Sequence, residues 1–142
     1  LSNISAGIGR GQMEVLNSRV QLRRDMHHFY INMFKSIDEV SVFSIPNDDY
    51  FSNYWLTTIL VEPNSAKGVN REGLRLAFDK ANIESRPLWK PMHLQPIFAH
   101  HPYYGGTIAE TLFENGLCLP SGSNLTDLEM DRIKKVILDF FK

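Results

Sequence analysis

Residues 84–98 read ESRPLWKPMHLQPIF, and in them Arg86, Trp89, Lys90, His93 and Gln95 are interleaved with Pro87, Pro91 and Pro96. A guanidinium, an ammonium, an imidazole, an amide and an indole can together pair with phosphate, donate to hydroxyls and cover an apolar ring face. Each proline fixes its own φ and biases the residue before it towards extended backbone, so no helix should run through the stretch. Prolines on both sides of His93 predict that its imidazole is held extended and exposed. The chemistry that fits is recognition of a polar, anionic ligand. A surface connector, with Trp89 and Leu88 packed down and the polar groups in water, accounts for the same residue types.

No other set of residues adds up to a complete active site. His27 and His28, adjacent on a helix, point about 100° apart and cannot chelate as neighbours, and His100-His101 lack the spacing of a zinc pattern. No metal site is expected. Ser121-Gly122-Ser123 lacks the strand-to-helix elbow that activates a serine. The lone cysteine, Cys118, lies between Leu117 and Leu119 and reads as a small buried hydrophobe. It excludes an internal disulfide and a cysteine metal cluster, which fits a reducing compartment. Gly7-Ile8-Gly9-Arg10-Gly11 has neither a preceding strand nor the spacing of a phosphate loop. Gly7 and Gly11, at i and i+4, instead predict close approach of another backbone, as between subunits.

The elements that must position these groups follow from periodicity. A long helical region over residues 3 to about 35, with room for one break, carries Ile4, Ile8, Val15, Leu16 and Val20, then Leu22, Met26, Phe29, Tyr30 and Met33, with Ser2 or Asn3 as its cap. Strands are expected over 40–45, 54–61 and 117–120, the second buried on both faces, with sheet pairing resumed near 83–86. Asn70 caps a helix with Leu74, Ala77, Phe78 and Ala81 on one face, and Thr107 or Ile108 opens a short one stopped by Asn115-Gly116. Thr126-Asp127-Leu128-Glu129 matches a capping box for a last helix. The expected class is α+β, a short, mostly antiparallel sheet covered by helices and preceded by a long helix. Residues 1–36 form the helical linking region and 37–142 the small domain.

The chain has 142 residues, 43% hydrophobic and 22% charged, with a net charge of −1. It is long enough for one independent core, and no large field is present to draw nucleic acid or anionic membrane. The longest apolar run, near residues 55–61, is too short to span a bilayer. The first residue is leucine and the opening already reads as helix, so a piece of a longer protein is expected.

Three strings, SNISAGIGRGQMEVL, SRPLWKPMHLQPIF and GGTIAETLFENGLCLPSGSNLT, occur in the order found in the DegT/DnrJ/EryC1/StrS sugar aminotransferases, which the chain resembles over nearly its whole length. The resemblance implies the C-terminal small domain of a fold-type I, pyridoxal-phosphate-dependent enzyme, homodimeric and cytoplasmic. Such an enzyme passes an amino group from glutamate to a nucleotide-linked 4-keto-6-deoxy sugar, UDP-linked in the group that the chain most resembles, for surface polysaccharide or glycan. The Schiff-base lysine is implied to lie in a large N-terminal domain missing from this chain, so no catalytic residue is assigned here, and Lys67, Lys80 and Lys90 are not candidates. Ser2 and Asn3 are the nearest residues to the segment that reaches the partner's cofactor phosphate. Trp89, Lys90, His93 and Gln95, with Arg86 and Arg10, are implied to line the sugar-nucleotide pocket. A non-catalytic or dehydratase-like relative, acting as a nucleotide-sugar binding module, is the alternative.

Overall fold

A computed structural model describes residues 2–63 and 68–142; the turn expected over 62–68, with Lys67, lies partly outside the described residues. The chain opens with helices α1 (Asn3–Glu14) and α2 (Leu16–Phe34), separated at Val15. Strand β1 (Val40–Val42), strand β2 (Thr57–Val61) and helix α3 (Arg71–Lys80) follow. Then come the two-residue β3 (Arg86–Pro87), helix α4 (Ile108–Asn115), β4 (Gly116–Leu119) and helix α5 (Asp127–Phe140). The strands make one antiparallel sheet in the order β1-β2-β4-β3.

Local chemistry sets the helix ends. The Asn70 side chain accepts from the Gly73 amide at 2.8 Å, and Asn82 closes α3 with a left-handed φ of 55°. At α5 the capping box is complete: the Glu129 carboxylate accepts from the Thr126 amide at 2.8 Å and the Thr126 hydroxyl accepts from the Glu129 amide.

The core lies between one face of the sheet and three helices. Tyr30 and Phe34 from α2, Leu74 and Phe78 from α3, and Ile133 and Ile137 from α5 meet Ile59, Val61, Leu117 and Leu119 of the two central strands. Along β2 burial alternates, with Thr57, Ile59 and Val61 buried and Thr58 and Leu60 half-buried, as a pleated strand demands. The expectation that 54–61 is one strand buried on both faces is corrected. Tyr54 adopts φ 44°, and the Ser52 and Asn53 side chains accept from the Tyr54 and Trp55 amides, so residues 52–55 are local turns. Strand β1 likewise stops at Val42, ahead of Pro46, and only Arg86 and Pro87 pair near residues 83–86.

A histidine is buried beside this core. His27 is fully buried, stacks on Tyr54 with ring centroids 3.6 Å apart, and hydrogen-bonds the Ser44 hydroxyl at 3.1 Å. Burial, with His28 and Arg24 nearby, lowers its pKa from 6.5 to about 4.

Helix α1 has no buried residue; Ile4, Ile8 and Met13 are each more than 60% exposed, and a Cβ at Gly7 or Gly11 would meet nothing within 4 Å. The apolar stripe expected there, at Ile4 and Ile8, is therefore not buried by the other described residues.

Ile137→Ala should lower unfolding free energy by about 2–5 kcal/mol, whereas Ile8→Ala should change it by less than about 0.5 kcal/mol; equal shifts in urea midpoint would refute a core centred on α5. Because His27 binds its proton more weakly folded than unfolded, it leaves stability untouched above pH 6.5, and stability falls as pH drops from 6.5 to about 4. The loss approaches about 3 kcal/mol. Thermal melts across that window should show a slope that His27→Gln flattens; a parallel slope in the variant would assign it to other groups.

Candidate functional site

Arg86 and Pro87 lie at the edge of the sheet, where a proline's missing N–H is tolerated. The Leu88 amide continues the pairing to the Gly116 carbonyl at 3.3 Å. A Cβ on residue 116 would run into Leu88 Cδ1 and the Leu112 carbonyl oxygen, so this approach requires glycine. It sets Leu88 down against β4 and leaves Trp89 at the rim.

Beyond that edge is a cavity of about 400 Å³ between β3, the end of β4 and the turn before β2. Trp55 and Trp89, the chain's two tryptophans, both line it, with ring centroids 6.2 Å apart and planes tilted by 41°. Ser85, on the same wall, has a buried hydroxyl with no hydrogen-bond partner. Arg86 Nε donates to Glu84 Oε1 at 2.6 Å, and both side chains are more than 70% exposed. Cys118 also lines the space; burial pushes its thiol pKa up, which keeps it protonated and unreactive.

Helix α2 holds both loops that shape the cavity. The Arg23 guanidinium donates to the Trp55 carbonyl at 2.5 Å and to the Ser121 carbonyl at 3.1 Å. The Tyr30 hydroxyl donates to the Pro120 carbonyl at 2.7 Å, and burial raises its pKa far above the usual phenol range. The Ser121 hydroxyl accepts from the Thr57 amide and donates to the Leu119 carbonyl, each at 2.9 Å. Sequence reasoning assigned none of Trp55, Arg23 or Ser121 to a site. Arg23, His27 and Tyr30 recur at i, i+4 and i+7, so polar groups on a helix's inward stripe were the available signal.

His93 is placed otherwise than expected. It sits in a 3-10 turn, Met92–Leu94, between extended Pro91 and Gln95, because proline fixes φ but readily opens a turn. Its Nε2 bonds Glu110 Oε1 at 2.8 Å, its ring stacks on Tyr103 with centroids 3.7 Å apart, and 17% of its side chain is exposed. The Tyr103 hydroxyl donates to the Gly106 carbonyl, which ties the loop over the imidazole. His93 and Glu110 are an ion pair only when the imidazole is protonated.

The cavity thus gathers Arg86 and Trp89, while His93 is joined to α4. Lys90 is exposed, and Gln95 Nε2 donates to its carbonyl at 3.1 Å, closing the turn. Ser2 and Asn3 are exposed at the start of α1, where the Ser2 hydroxyl accepts from the Ser5 amide at 3.2 Å, and Arg10 is exposed two turns further along the helix. Among the described residues no three His, Cys, Asp or Glu side chains come together to hold a metal.

Residues 1–138 match the sequence model of the DegT/DnrJ/EryC1/StrS aminotransferase family. EpsN of Bacillus subtilis (strain 168), provisionally named a pyridoxal phosphate-dependent aminotransferase, is 41% identical over 145 residues, 99% of this chain and 36% of that protein. GDP-perosamine synthase of Vibrio cholerae is 28% identical over 142 residues, 99% of this chain and 38% of that protein. The solved structure of the aminotransferase TlmJ from Streptoalloteichus hindustanus superposes with a TM-score of 0.83 over 96% of this chain and 36% of that one, a likeness of fold at 20% identity. The chain spans little more than a third of the length of these relatives.

Gly116→Ala should lower stability by about 1–3 kcal/mol through overpacking and shift tryptophan emission by displacing Leu88 and Trp89. Urea unfolding followed by that emission reads both; an unchanged midpoint would show that Leu88 repacks without strain.

Proposed function

The chain belongs to the DegT/DnrJ/EryC1/StrS aminotransferase family, and on that premise we propose that it is the C-terminal, substrate-side part of a pyridoxal-phosphate-dependent sugar aminotransferase. The full-length protein transfers an amino group from glutamate to a nucleotide-linked 4-keto-6-deoxy sugar, in the cytoplasm, for a surface polysaccharide or glycan. One observation carries this most: the Arg-Pro…Trp-Lys-Pro stretch folds against the sheet edge so that Arg86 and Trp89 wall a cavity of about 400 Å³, the size of a small-molecule site.

The side chains divide the work. Trp89 offers an aromatic face to the ligand and Arg86, exposed beside Glu84, a cation for a diphosphate. Lys90, one residue on and exposed, adds a second cation at the rim. His93 reaches the ligand through the ring nitrogen not bonded to Glu110, and Gln95 keeps the turn between Lys90 and Met92 closed. Arg10, Ser2 and Asn3 act from α1 across a homodimer, in which the uncovered Ile4 and Ile8 stripe is buried. Residues 1–36 serve as the linking helices and 37–142 as the small domain.

Pyridoxal phosphate supplies the electron sink for amino transfer and is held through an imine to a lysine. Among the described residues no lysine lines this cavity, and Lys80 and Lys90 are both exposed. These residues do not by themselves fit the cofactor; the large N-terminal domain provides its lysine.

The full-length protein with pyridoxal phosphate should show a visible aldimine band that borohydride fixes onto a lysine preceding residue 1. Its Lys90→Ala and His93→Ala variants should keep the band and raise KM for the nucleotide sugar roughly tenfold, the worth of a charged hydrogen bond. No band would sink the aminotransferase assignment; a band with unchanged KM would leave this segment without a binding role.

A further inference from the structure

Resting on the nucleotide-sugar reading above, we propose that the cleft between Trp55 and Trp89 is the base-binding subsite, taking the planar nucleobase while Arg86 at the mouth takes the phosphate. Trp55, on the turn before β2, thereby becomes a specificity-determining residue.

Two large indoles, 60% and 69% exposed in this chain, face one cavity. Their centroid separation of 6.2 Å is too small to sandwich a third ring, which needs about 7 Å for two stacking distances. The 41° tilt instead makes a wedge, in which a flat ligand lies on one indole face and meets the edge of the other. A pyranose ring, puckered and hydroxylated on both sides, uses one apolar face and gains little from the second indole. A nucleobase has two π faces and polar edges.

The polar groups agree with that occupant. Ser85 lines the same wall, although its hydroxyl is buried and has no hydrogen-bond partner among the described residues. Arg86, paired with exposed Glu84, can exchange that carboxylate for a phosphate oxygen without leaving the mouth. The wedge is also preset. Arg23 fixes the Trp55 carbonyl, His27 stacks under Tyr54, and Tyr54 holds φ 44°, so the backbone carrying Trp55 is anchored before any ligand arrives.

Trp55 and Trp89 are the only tryptophans of residues 1–142, so the emission that the full-length protein loses in Trp55→Leu reports on this cleft. The test is titration of the full-length protein with UDP and with GDP, followed by calorimetry and by that emission, with ribose 5-phosphate and inorganic phosphate as controls. At least one nucleotide should bind saturably and perturb the emission, while neither control does. Trp55→Leu should weaken binding about tenfold or more, the usual cost of losing a base-stacking aromatic, with an unchanged melting temperature. Controls that act like the nucleotides, the absence of saturable binding, or wild-type affinity in Trp55→Leu would each overturn the proposal. None of these readouts needs the cofactor or turnover, so failure of the aminotransferase reading, seen as a missing aldimine band, is recorded separately.

Discussion

The cavity depends on how one face of α2 is made. Arg23, His27 and Tyr30 project from successive turns of the helix into the join between the sheet and its loops, and each hydrogen-bonds a loop group there: the Trp55 carbonyl, the Ser44 hydroxyl and the Pro120 carbonyl. Arg23 alone connects the carbonyls of Trp55 and Ser121, which belong to segments 66 residues apart in the chain. These directional bonds fix where the two loops sit relative to the helix. The turn before β2 is an ordered wall of the cavity because the helix below it is polar at the right places.

The two ends of the structured region serve different purposes. From α2 onward, the helices and sheet enclose a common core. In α1 the apolar residues face outward and the glycines have open space beside them. A helix of 12 residues with no tertiary packing is marginal in water. Its persistence as an amphipathic element fits the proposed burial against a second subunit in a protein about three times as long.

His93 shows how the same residue type can satisfy two demands. Its carboxylate partner, Glu110, lies in the first turn of α4, where the helix dipole favours negative charge. Glu110 and the ring of Tyr103 fix the imidazole plane, and with it the orientation of the remaining ring nitrogen. The acidic partner is 17 residues away in sequence, so no local spacing pointed to it.

The sequence by itself determined the elements whose signals are local. The caps at Asn70 and Thr126, the stop at Asn115-Gly116, the buried Cys118, the α5 stripe and the helix-free stretch near Pro87 and Pro91 follow from hydrogen-bonding side chains, φ restrictions and periodicity within a few residues. The family was legible for a related reason, since its motifs are contiguous strings. Tertiary structure decided what lies across the fold. It showed that residues 52–55 turn instead of pairing, because Ser52 and Asn53 capture the amides that a strand would have used. It brought Trp55 to within 6.2 Å of Trp89, joined His93 to Glu110, and left α1 uncovered within this chain. Those outcomes depend on the β1-β2-β4-β3 order, which places the β2 turn and the β3 edge on either side of β4. Strand order is settled by long-range packing, for which no residue-to-residue spacing in the chain is a guide.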